Sequence, residues 1–62
     1  MEESKKVLEA IKSFAADGEL SRCSRSQIAD KAKVDKSVVE REVRQLVRNG
    51  FMKRLSTNTY IV

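Results

Sequence analysis

Apolar residues recur along this chain with two different periods, and the change of period sets out its elements. Val7, Leu8, Ile11, Phe14 and Ala15 repeat at the three-and-four spacing of one helix face, with Lys5, Glu9 and Lys12 opposite. The pattern predicts a first helix over about residues 3–16, ended by Asp17-Gly18. Glu19-Leu20-Ser21-Arg22-Cys23 then reads as a short connection or brief edge strand. Ser24-Arg25-Ser26-Gln27 matches a capping box, in which serine and glutamine side chains satisfy free backbone N–H groups at a helix start. Cys23 and Ile28 flank it as a hydrophobic staple, which makes Cys23 a small buried apolar residue. A second helix follows over about 25–32, with Ile28, Ala29 and Ala32 turned inward.

Lys33-Val34-Asp35 is a tight turn, and Asp35 is a suitable N-cap for a third helix over about 36–49. Its apolar set is Val39, Val43, Leu46 and Val47, with Glu40 and Glu42 on the flanks. After Gly50 the period shortens. Phe51-Met52-Lys53-Arg54-Leu55 and Thr59-Tyr60-Ile61-Val62 are rich in β-formers and are separated by Ser56-Thr57-Asn58. They predict a hairpin over about 51–62, with Asn58 as the turn residue most tolerant of positive φ. Phe14 and Phe51 are assigned to the core, and Tyr60 packs its ring under the hairpin with its hydroxyl in water. Each of the two glycines follows a helical segment, where a left-handed C-terminal cap is wanted, and proline is absent.

Composition narrows the function classes. Sixty-two residues, 40 % of them hydrophobic, predict a single domain spanning 1–62, with little room for a deep catalytic cavity. An enzyme is not expected: there is no histidine base, no glycine-rich phosphate loop and no carboxylate pair over a cleft. With no histidine and one cysteine, no ordinary zinc site can be assembled, so neither metal nor cofactor is expected. The lone cysteine also fits a reducing compartment. No apolar run reaches the roughly 20 residues needed to span a bilayer. The charged Met1–Lys6 segment is not a signal peptide. A location in the cytoplasm, the nucleoid or a host-cell interior follows, with no membrane partner and no small-molecule effector.

Charge is distributed unevenly. Up to Glu19 the chain holds five acids and three bases, whereas the remainder holds four acids and ten bases. At about 100° per residue, Ser37, Arg41, Arg44, Gln45 and Arg48 lie opposite the buried face of the third helix, and Lys36 stands at its start. Arg22 and Arg25 lie near the second helix, and Lys53 and Arg54 on the hairpin. Arginine forks suit phosphate and the guanine edge, and a helix projecting from a three-residue turn suits a major groove. Glu40 is expected to pair with Arg44 one turn on, the alternative being to accept from a cytosine N4.

The segments Gln27–Val39 and Val43–Arg54 resemble the core of winged helix-turn-helix DNA-binding domains, such as those of bacterial, archaeal and viral transcription regulators. The likeness runs from Lys6 to Val62. It implies an α+β, mainly helical fold: three helices and a short C-terminal β-hairpin wing. It further implies a small double-stranded DNA-binding transcription regulator, with the third helix in the major groove and the wing on the backbone. Ser37, Val38, Arg41 and Arg44 would then be base-proximal, as would Lys36 at the helix start. Backbone contacts would come from Lys36 as well, with Arg22, Arg25, Gln45, Arg48, Lys53 and Arg54. A single such module binds weakly, so a homodimer on two half-sites is expected. The family usually carries glycine where Lys33 stands, so the turn is expected to differ slightly. The short loop without Lys or Arg argues against deep minor-groove insertion. The alternative is a winged-helix protein–protein interaction module that holds no nucleic acid.

Overall fold

The computed structural model describes residues 2–15 and 19–62. Along the chain run α1 (Glu2–Ser13), β1 (Leu20–Arg22), α2 (Arg25–Ala32), α3 (Lys36–Arg48), β2 (Lys53–Ser56) and β3 (Thr59–Ile61). The fold is α+β and mainly helical. Three helices pack on one another, and a three-stranded antiparallel sheet in the order β1-β3-β2 closes one side. The proposed end of the first helix at Asp17-Gly18 lies outside the described residues; α1 itself ends at Ser13.

Local chemistry explains each boundary. Ser24 Oγ accepts the Gln27 N–H at 3.2 Å while Gln27 Oε1 accepts the Ser24 N–H at 2.8 Å, which completes the capping box of α2. That helix ends with Lys33 in left-handed geometry, φ 60° and ψ 46°, as Val34 N–H donates to Ala29 O at 3.1 Å. The turn therefore keeps the backbone glycine would adopt, with lysine bearing the strain. Lys33→Gly is expected to stabilise the fold by about 0.5–1 kcal/mol, the left-handed penalty less the entropy glycine adds to the unfolded chain. A thermal melt would show it as a raised Tm.

Asp35 has an extended N-cap backbone, and its carbonyl takes the Val38 and Val39 N–H groups, but its side chain makes no cap hydrogen bond. At the other end of α3, Gly50 sits at φ 80°, Gly50 N–H donates to Val47 O and Phe51 N–H to Leu46 O. This is a Schellman cap. Its backbone path turns Phe51 outward: the ring is 60 % exposed instead of joining the core. Phe51 and Met52 thus precede β2 rather than opening it.

The core contains Val7, Ala10 and Ile11 from α1, Ile28, Ala29 and Ala32 from α2, Val39, Val43 and Leu46 from α3, and Cys23, Met52 and Tyr60. Leu8, Phe14, Val34 and Val62 pack against it. Tyr60 lies on the central strand, almost fully buried, and its hydroxyl donates to Thr57 O at 3.2 Å, a protein partner where water was expected. Burial also pushes its pKa upward. Ser21, buried on β1, donates to Ile11 O at 2.6 Å and ties the sheet to α1. The thiol of buried Cys23 is likewise pushed up by desolvation.

In the hairpin, Arg54 faces Tyr60 and Ser56 faces Thr59, so Leu55 is an extra residue on β2. This bulge bends the strand and leaves Leu55 exposed. Among the described residues only Lys33 and Gly50 have positive φ, so Asn58 does not take the left-handed conformation. Its carbonyl instead accepts the Cys23 N–H at 2.9 Å and fastens the hairpin end to the segment after β1. No helix among the described residues is long and apolar enough to cross a membrane.

Candidate nucleic-acid interface

Helix α3 buries Val39, Val43 and Leu46 and exposes Lys36, Ser37, Arg41, Arg44, Gln45 and Arg48. The helical period thus delivers its basic stripe to the surface. The two flanks differ. Glu42 and Val47 stand at nearly equal angles, roughly 70° either side of the buried centre at about 100° per residue. Glu42 is nevertheless buried and Val47 exposed. The neighbour decides: α1 packs on the Glu42 side, where Ser4 Oγ donates to Glu42 Oε1 and Arg41 Nε donates to Glu42 Oε2 at 3.1 Å. Glu42 therefore belongs to the α1–α3 contact and not to a solvated flank, and Val47 leaves the expected apolar set.

The Ser4 hydroxyl, and after it the Arg41 guanidinium, hold the Glu42 carboxyl below the usual carboxylate range despite its burial. A lowered folded-state pKa gives stability that is fully present above the unfolded value of about 4.3 and is lost as pH falls through the folded value. Glu42→Gln is expected to cost about 1–3 kcal/mol at neutral pH. It should also flatten the loss of stability below about pH 4.3, measurable by urea titrations at several pH values.

The arginines of the stripe divide between two anchors. Arg41 leans toward α1, where its Nη2 also donates to Glu3 Oε1 at 3.2 Å. Arg44 leans the other way and pairs through Nε with Glu40 Oε2 at 3.5 Å, as the i, i+4 spacing predicted. Glu40 does more than that. Arg54 Nη1 from β2 donates to the same Oε2 at 3.2 Å, and Arg25 Nη1 from the start of α2 approaches Oε1 at 3.6 Å. Arg54 is held further by Thr57 O at 3.3 Å and lies over the Tyr60 ring, 5.6 Å from its centroid.

Between these anchors lies a groove of about 830 Å³. Ser37, Arg41, Arg44, Gln45 and Arg48 line it from α3, Arg25 from α2 and Arg54 from β2. Seven of the eleven residues singled out from the sequence thus meet on one surface. The other four do not line it. Val38 is half-buried and faces a separate pocket with Glu3 and Lys6. Exposed Lys36 and Lys53 stand at the start of α3 and of β2, and Arg22 is on β1, across β3 from β2. Among the described residues, Arg22, Lys36, Arg48 and Lys53 make no ion pair. Sequence reasoning missed the three-arginine arrangement on Glu40, since only the i, i+4 part is visible from spacing.

Comparison with protein-family models, with curated proteins and with solved structures finds no match to this chain.

Proposed function

We propose that this chain is a winged-helix module that binds double-stranded DNA, with α3 entering the major groove and the β2–β3 hairpin serving as the wing against the backbone. The observation that carries the proposal is the convergence of five arginines, a glutamine and a serine from α2, α3 and β2 on one concave surface. Arginine forks bind phosphate and guanine edges, and three elements together can follow a duplex where a lone charged helix would only be solvated. Arg48 makes no ion pair among the described residues, and Arg44 is 77 % exposed, so both can reach a ligand with little rearrangement. Arg41 is more committed to Glu3 and Glu42. It therefore contributes less than its position on the helix suggests.

With about four to six phosphates neutralised, log K against log salt should have a slope of about −4 to −5. One module binds weakly, so regulation of transcription at a defined site would use two copies on adjacent half-sites. An anisotropy titration with a random 16-base-pair duplex at about 20 and 150 mM salt tests the proposal. Micromolar binding that fades as salt rises supports it; no binding at the lower salt refutes it.

One feature favours the alternative of a protein-binding module. Exposed Phe51 borders a groove shared by Leu8 and Leu46 between α1 and the end of α3, which meets the arginine-lined groove at Arg41 and Gln45. A chain that ignored duplex DNA at low salt would direct attention to that groove.

A further inference from the structure

Among the described residues, Glu40 is the one acid lining the arginine-rich groove, and it is encircled. Arg25, Arg44 and Arg54, from three separate elements, approach its two carboxylate oxygens at 3.2–3.6 Å. One negative charge facing three positive ones leaves two uncompensated. These contacts are also unequal in firmness. Arg54 is fixed by Thr57 O and the Tyr60 ring besides Glu40. Arg25 and Arg44 make the longer contacts and are more exposed. Exposed ion pairs are individually weak, whereas a duplex offers the arginine forks a row of phosphates, each singly charged and able to accept bidentately.

Resting on the DNA-binding proposal above, we infer that Glu40 is an internal counter-anion: its carboxylate competes with phosphate groups for Arg25, Arg44 and Arg54, which makes it a specificity-determining residue of the interface. An arriving phosphate must draw Arg44 or Arg25 away from Glu40 and must tolerate the carboxylate left behind. A duplex that also gains contacts to base edges offsets this cost, and a duplex bound only through its backbone does not. Glu40 thus lowers sequence-independent affinity more than sequence-dependent affinity. Arg54, which Thr57 O and the Tyr60 ring also hold within the hairpin, is the least easily drawn away of the three.

The test compares wild type with Glu40→Gln, which keeps the shape and removes the charge, and with Glu40→Ala as a second helix-compatible variant; far-UV circular dichroism checks folding. Each is titrated with a random 16-base-pair duplex across a salt series. In parallel, inorganic tripolyphosphate is added while the arginine Nε–H resonances are followed by NMR. Removing the charge is expected to tighten random-duplex binding about five- to ten-fold at about 0.1 M salt and to steepen the salt slope by about one. Equal or weaker duplex binding with an unchanged slope overturns the role of Glu40 and leaves DNA binding standing. If no form binds duplex at low salt, DNA binding itself is refuted and tripolyphosphate decides for Glu40. Tighter binding by the folded variants, seen at Arg44 and Arg54, upholds the counter-anion role, and equal binding overturns it.

Discussion

Replacing Ile11 by alanine is expected to lower the unfolding free energy by about 2–5 kcal/mol. That is comparable to the whole stability of about 3–9 kcal/mol expected for a chain of this length. Ile11 is fully buried in α1, and α1 packs against both other helices and touches β1. Its carbonyl also receives the buried Ser21 hydroxyl, so the side chain supports the point where helix and sheet are joined. Removing three carbons leaves a cavity that a core of twelve buried apolar residues, counted among the described residues, has few means of closing. At about 4–8 °C per kcal/mol for a domain of this size, a thermal melt should show a large fall in Tm. A fall of only a few degrees would mean that the helices are not locked together as described.

The second large effect concerns the surface. Arg44→Ala and Arg48→Ala combined are expected to reduce duplex affinity by about 10- to 100-fold at moderate salt and to make the salt slope shallower by about two. Both side chains are exposed, so the double variant should fold as wild type does. The same pair of substitutions at Lys5 and Lys12, exposed on α1, is the control. It removes the same formal charge from a different element. Equal losses from the two variants would indicate binding through net charge rather than through the groove, and they would be seen in the same anisotropy titration.

Much of the architecture is visible in the sequence because strong local signals coincide with the helical period. The Ser24–Gln27 capping box, Gly50 after α3 and the β-formers beyond it mark boundaries that agree with the structure to within a few residues. Where such signals are absent or balanced, spacing alone is insufficient. Glu42 and Val47 stand symmetrically about the buried centre of α3, and only the position of α1 makes one buried and the other exposed. Phe51 reads as core by composition, yet the Schellman cap fixes its backbone before hydrophobicity can act, and the ring remains outside. Asn58 is suited to positive φ, but the Leu55 bulge absorbs the irregularity of the hairpin.

The candidate interface divides the same way. That a basic stripe on α3 would face outward follows from the burial of Val39, Val43 and Leu46. The partners of its arginines do not follow. Glu40 and Arg54 are separated by 14 residues, and Arg41 and Glu3 by 38, so both pairs depend on the packing of distant elements. Ion pairs of this kind decide which arginines are free to meet a ligand, and that information enters only with the tertiary structure.

The most direct measurement is a backbone amide NMR map of the protein with and without a short duplex at low salt. Shifts concentrated at Ser37, Arg44 and Arg48, at the start of α2 and on the β2–β3 hairpin are predicted. Shifts confined to α1 and the Phe51 groove, or none at all, would contradict DNA binding through the arginine-lined surface.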